Sequence, residues 1–288
     1  MDKHYADLHI HTTASDGTLA PGEVVDLAYR EGLSVISITD HDTVAGVTQA
    51  MSCLPRGLTL VPGVEFSCLY EGGQGFLMHL LGYGIDPCHP AILTAVDIAK
   101  EARLQKHARR LEYFKERYGI EFTKDEHHYL NTRPNVGRLH IARLLIDRGL
   151  CFTVREGIDI FMSSPDFPDG TIPLGKAVNA IISAGGIPIY AHSLGGECEV
   201  HLSFEETLSR IKLIKAVGVM GLECYYSRYS REEIDFLLSV AAKEGLLVSG
   251  GSDFHGKNKT VRIGDTSIDG SRVESSKLSL LAKIISDA

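Results

Sequence analysis

The stretch ADLHIHTTASDGT, residues 6–18, sets His9 and His11 one residue apart in an alternating segment and follows them with Asp16 in a Gly-containing turn. In a β-strand, residues i and i+2 point to the same face. A strand over Ala6–His11 therefore carries Asp7, His9 and His11 on one side and Leu8 and Ile10 on the other. Two imidazoles side by side form a chelating pair if further ligands arrive from elsewhere. The other reading of an isolated H-x-H is two partly buried histidines bonded to backbone carbonyls. The choice between them depends on whether the rest of the chain supplies more ligands.

Outward from this strand, short apolar runs at Ser34–Ile38, Leu58–Val61, Phe76–Leu81, Ile187–Tyr190, Val219–Leu222 and Leu246–Val248 read as buried strands. Helical patterns separate most of them. One follows Pro21 and stops at Gly32, Ala177–Ala184 stops at Gly185-Gly186, and Ile234–Ala242 stops at Gly245. Alternating strand and helix predicts βα units around a parallel sheet, open or closed into a barrel, and periodicity does not separate the two. From about Pro90 to Pro173 the strand signal fades. A charged segment of helical period, Ile92–Tyr118, leads through Pro134–Leu150 to a loop at Ser163-Ser164-Pro165-Asp166. This predicts a helical insertion whose charged faces are solvated.

The 288 residues are 44% hydrophobic and 23% charged, which is globular and long enough for one sizeable core. A formal net charge of −8 argues against a broad nucleic-acid-binding surface and leaves room for a small charged substrate. No run approaches the roughly 18 apolar residues of a membrane span, and MDKHYADLHI lacks the n-region and h-region of a leader, so a cytoplasmic protein without membrane attachment is expected. Six cysteines without C-x-x-C pairs fit packed thiols. No protein partner is indicated.

The strands run into residues with metal-binding chemistry: His41 in TDHDT, Glu65 in PGVEFS, His192 in AHS, and Asp253 and His255 in SGGSDFHG. His79 interrupts an apolar run. In parallel α/β architectures the C-terminal strand ends share one face, where active sites assemble. Histidine nitrogen with carboxylate oxygen, and no thiolate set, suits Zn²⁺, Mn²⁺ or Fe²⁺ better than Ca²⁺. His9, His11, Asp16, His41, Glu65, His79, His192, Asp253 and His255 are too many for one ion at about four to six ligands each, so two to three divalent transition metal ions (Mn, Fe or Zn) are expected.

This ordered set, DLHIHTTASDG, SITDHDT, PGVEFS, the isolated His79, AHS and GSDFHG, resembles the polymerase-and-histidinol-phosphatase (PHP) family. Within it the chain is similar to the stand-alone phosphoesterases that include the nucleoside 3′,5′-bisphosphate phosphatase and its ribonuclease relatives. The resemblance implies an α/β fold, a distorted seven-stranded (β/α) barrel with a helical insertion. Residues 1–88 and 174–288 would form the barrel domain and 89–173 the insertion, a lid. It also implies a trinuclear centre: His9, His11 and Asp253 on one ion, Glu65 bridging to a second completed by His79 and His192, and Asp16, His41 and His255 on a third. Asp40 and Asp42 flank His41 and suit either orienting it or capping a helix. RPNVGRLHIARLL resembles the G-R-x-H segment that these relatives place over the metals, pointing to Arg138 and His140 at the phosphate, with Arg133 a weaker candidate. In GLECYYSRYS, Glu223 suits a supporting role and Tyr226 the substrate pocket.

The implied activity is hydrolysis of a small phosphorylated metabolite, foremost a nucleotide or nucleoside 3′,5′-bisphosphate or the end of a short oligonucleotide. A bridging metal hydroxide would attack phosphorus, while the cations and Arg138 neutralise the phosphoryl oxygens. His140, ahead of His192, would protonate the leaving oxygen. The alternatives are a cyclic phosphodiester or histidinol phosphate as substrate, or a non-catalytic module of the kind attached to DNA polymerases.

Overall fold

In the computed structural model, which describes residues 4–73, 75–132, 136–162, 171–197 and 199–287, the opening strand β1 (Tyr5–Ile10) is buried from Ala6 onward. Helix α1 (Pro21–Arg30) starts where Pro21 needs no N–H partner and Glu23 accepts from Ala20 N at 2.7 Å. Strand β2 (Leu33–Ile38) and the short helix α2 (Ala45–Met51) follow, then β3 (Thr59–Tyr70) and β4 (Phe76–Tyr83). Four helices come next: α3 (Pro90–Tyr118), α4 (Lys124–Asn131), α5 (Arg138–Asp147) and α6 (Val154–Phe161). The two-residue strand β5 (Ile172–Pro173) leads into α7 (Leu174–Ser183), β6 (Ile187–Tyr190), α8 (Phe204–Val217), β7 (Gly221–Tyr226), α9 (Arg231–Glu244), β8 (Leu247–Gly251) and α10 (Ser279–Asp287).

The strand order is β1-β2-β3-β4-β6-β7-β8, with β5 beside the outer half of β3. The sheet is mostly parallel. The exception is β4, which pairs antiparallel with β3 and with β6. Only residues 71–75 join β3 to β4, too few for the helical crossover a parallel pair requires. Strand β3 also differs from expectation by running past Pro62-Gly63 to Tyr70, which puts Glu65 mid-strand rather than at a strand end. The pair reads as a turn in the sequence, yet Pro62 lies opposite Ile38 of β2 and the alternation Val64, Phe66, Cys68 carries the strand onward into the core.

The two ends of the strand order meet. Asp253 N donates to His9 O at 2.8 Å, and His11 N donates to Phe254 O at 2.9 Å. A Cβ on Gly251 would lie 2.3 Å from that of His9, so only glycine lets β8 pass this close to β1. Ala6, Leu8, Val61, Leu81, Tyr83 and Ile189, from four strands, share one apolar cluster with Leu280 of α10. A larger cluster packs Val64, Phe66 and Leu80 against Ile181, Ile211 and Leu237 of the covering helices. A separate cluster, Phe114, Phe122, Leu130, Ile141, Leu145 and Ile158, joins the end of α3 to α4, α5 and α6. Helix α3 spans both: its first turns put Ile92, Ala95 and Ala99 into the larger cluster.

Asp7 fastens β1 to the distal end of the chain. Its buried carboxylate accepts from Ser252 N (2.9 Å), Ser252 Oγ (2.6 Å), Gly264 N (2.7 Å) and His9 N (3.2 Å). Asp7→Ala strands these buried donors and is expected to lower stability by about 3–5 kcal/mol in urea denaturation. Asp7→Asn, which keeps one acceptor oxygen, is expected to lose roughly half of that.

Candidate metal centre

The site is built around Glu65, which is fully buried in the middle of β3. Its Oε2 lies 3.3 Å from His9 Nε2, 3.1 Å from His11 Nε2 and 2.9 Å from His41 Nδ1. Its Oε1 lies 3.2 Å from His79 Nδ1 and 3.3 Å from His192 Nε2. Burial alone would raise the Glu65 pKa, but the imidazoles of His41, His9 and His79 outweigh it and hold the carboxylate well below its usual range. Asp253 Oδ1 approaches His9 Nε2 (3.6 Å), His11 Nε2 (3.4 Å) and His255 Nδ1 (3.3 Å). Asp16 Oδ1 lies 3.2 Å from His255 Nε2, and its Oδ2 4.0 Å from His41 Nε2.

The fold presents these groups through their outer atoms. His9 Nδ1 meets Glu223 Oε1 of β7 at 2.9 Å, His11 Nδ1 meets Ser15 Oγ at 3.4 Å, and His255 Nδ1 meets the Asp253 carbonyl at 2.8 Å. His192 Nδ1 lies 3.3 Å from Glu199 Oε2. In each case Nε2 is left facing inward, the way outer partners fix the tautomer of metal-binding imidazoles. Glu223 serves twice, accepting from His192 N at 2.8 Å. Asp40 accepts from Thr12 N, Thr12 Oγ1 and Ser15 Oγ and so pins the turn that carries Asp16. Asp42 accepts from Ser67 N and from Arg103. Asp42, His192 and Asp253 have φ of 52°, 26° and 57°, and backbone held in this region by non-glycine residues is characteristic of functional sites.

Could these residues hold metal? His9 Nε2, His11 Nε2 and Glu65 Oε2 are buried, crowd within 3.3 Å of one another across the two N···O pairs, and make no hydrogen bond among the described residues. Atoms of that kind, left unbonded at high cost, fit donors aimed at a common ion. Four donor groups gather within reach of single ions: His11, Asp16, His41 and His255; His9, His11 and Asp253; His41, Glu65 and His79; His79, His192 and Glu199.

Of the residues singled out from sequence, the nine histidines and carboxylates lie together. Tyr226 is buried and its hydroxyl donates to Asp253 Oδ2 at 2.9 Å. Arg138 opens α5, next to Gly137, where an added Cβ would lie 4.0 Å from Asp16 Oδ2. His140 Nδ1 accepts from Gly137 N at 3.1 Å. Arg133 lies outside the described residues. Three further groups were not legible: Glu199, Lys259, whose ammonium pairs with Asp253, and Arg103, which holds Asp42 and Ser67 Oγ. Each is a lone charge in a loop or on a charged helix, and only the folded chain separates it from solvated neighbours.

An α/β scaffold gathering imidazole and carboxylate donors beside Arg103 and Lys259 has the layout of a metal-dependent phosphoesterase. Comparison with known proteins bears on this directly. The model of the PHP domain matches residues 7–136. The 3′,5′-nucleoside bisphosphate phosphatase of Chromobacterium violaceum is 31% identical over 254 residues, 86% of each chain. A 5′-3′ exoribonuclease of Haemophilus influenzae is 32% identical over 259 residues, 88% of this chain and 91% of that one. A crystal structure from Bifidobacterium adolescentis, described as a metal-dependent phosphoesterase, superposes with a TM-score of 0.82 at 29% identity, covering 99% of this chain and 96% of the other. The chain belongs to the PHP family, and it is a hydrolase of phosphate ester bonds. Among the described residues no helix is long and apolar enough to cross a membrane.

Proposed function

We propose that the protein removes a phosphate from a nucleotide or nucleoside 3′,5′-bisphosphate, or trims the end of a short oligonucleotide. The observation that carries this reading is Glu65, one carboxylate facing five imidazoles, with a family whose members act on such substrates around it. Two to three divalent transition metal ions, Mn, Fe or Zn, suit the donor set. His9, His11 and Asp253 would hold one, Glu65 would bridge to another held by His79 and His192, and Asp16, His41 and His255 would hold a third. When bound, the ions supply an activated water and neutralise charge on the phosphoryl oxygens. We read the strand ring as the distorted seven-stranded barrel of this family and residues 89–173 as its lid.

The remaining chemistry belongs to side chains. Arg138 binds a phosphate through its planar fork. His140, its Nδ1 accepting from the Gly137 N–H, carries its proton on Nε2 and would offer it to the leaving oxygen as a hydrogen bond rather than as a transferred proton. Tyr226 and Lys259 hold Asp253 in place.

A panel of nucleoside 3′,5′-bisphosphates, mononucleotides, short oligonucleotides, cyclic phosphates and histidinol phosphate tests the substrate. Highest kcat/KM on a bisphosphate or an oligonucleotide end supports the reading; preference for a cyclic phosphodiester or histidinol phosphate replaces it. Arg138→Ala is expected to lose roughly ten- to a hundredfold in kcat/KM with metal content retained, and Arg138→Lys to fall between. Wild-type kinetics in both would remove Arg138 from the site.

A further inference from the structure

The loop between β6 and α8 carries two side chains to the metal centre, His192 near its start and Glu199 farther along. Its path is fixed by the folded chain. Leu194 N donates to the Tyr229 hydroxyl at 2.8 Å, Glu197 N to the Tyr226 hydroxyl at 3.3 Å, and Leu202 N to Leu194 O at 2.8 Å. A Cβ on Gly196 would lie 2.9 Å from His192 Nδ1, so glycine lets the loop close over that imidazole. Gly196 N then donates to Glu199 Oε2 at 2.8 Å, and the same oxygen lies 3.3 Å from His192 Nδ1. Oε2 is thereby occupied with the loop and with His192. Oε1 faces another group, His79 Nδ1, at 3.9 Å. On that nitrogen Glu65 Oε1 and His192 Nε2 also converge, each at 3.2 Å. Donors that share an ion at about 2.0–2.2 Å stand roughly 3–4 Å apart, as these three separations do. His79, His192 and Glu199 each offer one donor atom within 4.8 Å of the others. Charge argues the same way. The ion placed on Glu65, His79 and His192 would have one carboxylate and two neutral imidazoles against a double positive charge, with about four to six positions to fill.

We propose that Glu199 is a further ligand of that ion through Oε1, while its Oε2 orients His192. The inference rests on the metal-dependent phosphoesterase reading and deepens it, giving the ion a second carboxylate and the open side of the centre a donor. The Glu199 side chain is 31% and that of His79 23% exposed, against 1% for Glu65, so this is the side from which solvent reaches the ions.

Glu199→Gln and Glu199→Ala separate ligation from orientation. A Gln amide keeps one oxygen to accept from Gly196 N and His192 Nδ1, but turns an NH₂, which cannot bind a cation, toward His79. Chelator-treated protein is titrated with Zn²⁺ in competition with a chromogenic chelator, which counts the ions and reads their affinities without turnover. Both variants are expected to lose about tenfold or more in affinity for one ion and to bind the others as wild type does. A Glu199→Gln affinity nearer to wild type than to Glu199→Ala overturns ligation, because the amide would then have rescued an orienting role alone. An Ala variant that binds every ion like wild type overturns it too. Should Glu199→Ala not fold, as read by circular dichroism, Glu199→Gln against wild type decides, with less than about a tenfold loss overturning the proposal. A wild type that takes up its ions and hydrolyses no phosphate ester sinks the phosphoesterase reading, while the titration still decides Glu199. A wild type that takes up no Zn²⁺ overturns both.

Discussion

Glu65→Ala is expected to lower kcat/KM by about a thousandfold or more, because it removes a carboxylate that faces His9, His11 and His41 through one oxygen and His79 and His192 through the other. The loss corresponds to about 4 kcal/mol of transition-state stabilisation, within what positioned metal ions contribute. Metal content should drop with it, since a bridging ligand fixes two ions at once. Asp16→Ala and His255→Ala, which belong to the donor group His11, Asp16, His41 and His255, should be milder in both measurements. Elemental analysis beside steady-state kinetics reads the comparison, with circular dichroism to confirm that the variants fold. Equal losses for Glu65→Ala and Asp16→Ala would show that Glu65 bridges nothing.

Removing the metals is expected to abolish turnover and to restore it when Mn²⁺, Fe²⁺ or Zn²⁺ is returned. It should also cost stability. A ligand present at a thousand times its dissociation constant adds about 4 kcal/mol to the native state. For a chain of this length that corresponds to a fall in Tm of about 10 °C on chelation. The metal-free protein keeps its fold in this expectation, because Glu223, Ser15, Glu199 and the Asp253 carbonyl hold the histidines from outside. Full activity in protein shown metal-free by elemental analysis would sink the metal-dependent reading.

The site was legible where local periodicity and strand position speak for themselves. His9 and His11 follow from alternation alone, and His41, His192, Asp253 and His255 follow from the ends of apolar runs. Glu65 was legible as a residue but not in its place, because Pro62-Gly63 mimics a strand stop while the alternation beyond it continues β3. The antiparallel entry of β4 was written in the five-residue spacing of 71–75 and hidden by the surrounding βα rhythm. Glu199 and Lys259 gave no signal, since a lone charge in a polar loop has no period to break. The inward face of α3 was masked differently: Arg103, His107 and Arg110 recur at helical spacing, but on a helix charged all round that spacing is indistinguishable from solvated surface until the second core places it.

The meeting of β1 with β8 orders events during synthesis. His9 and His11 leave the ribosome more than two hundred residues ahead of Asp253, His255 and the Ser252 and Gly264 donors to Asp7. Until then β1 has β2 along one edge and nothing along the other. Contacts this distant in sequence form slowly, and an unpaired edge is where growing chains misassociate. A nascent chain stalled before β8 therefore holds an incomplete ligand set and an open edge at once, so acquisition of the full metal complement and protection from aggregation arrive together as the last strand docks.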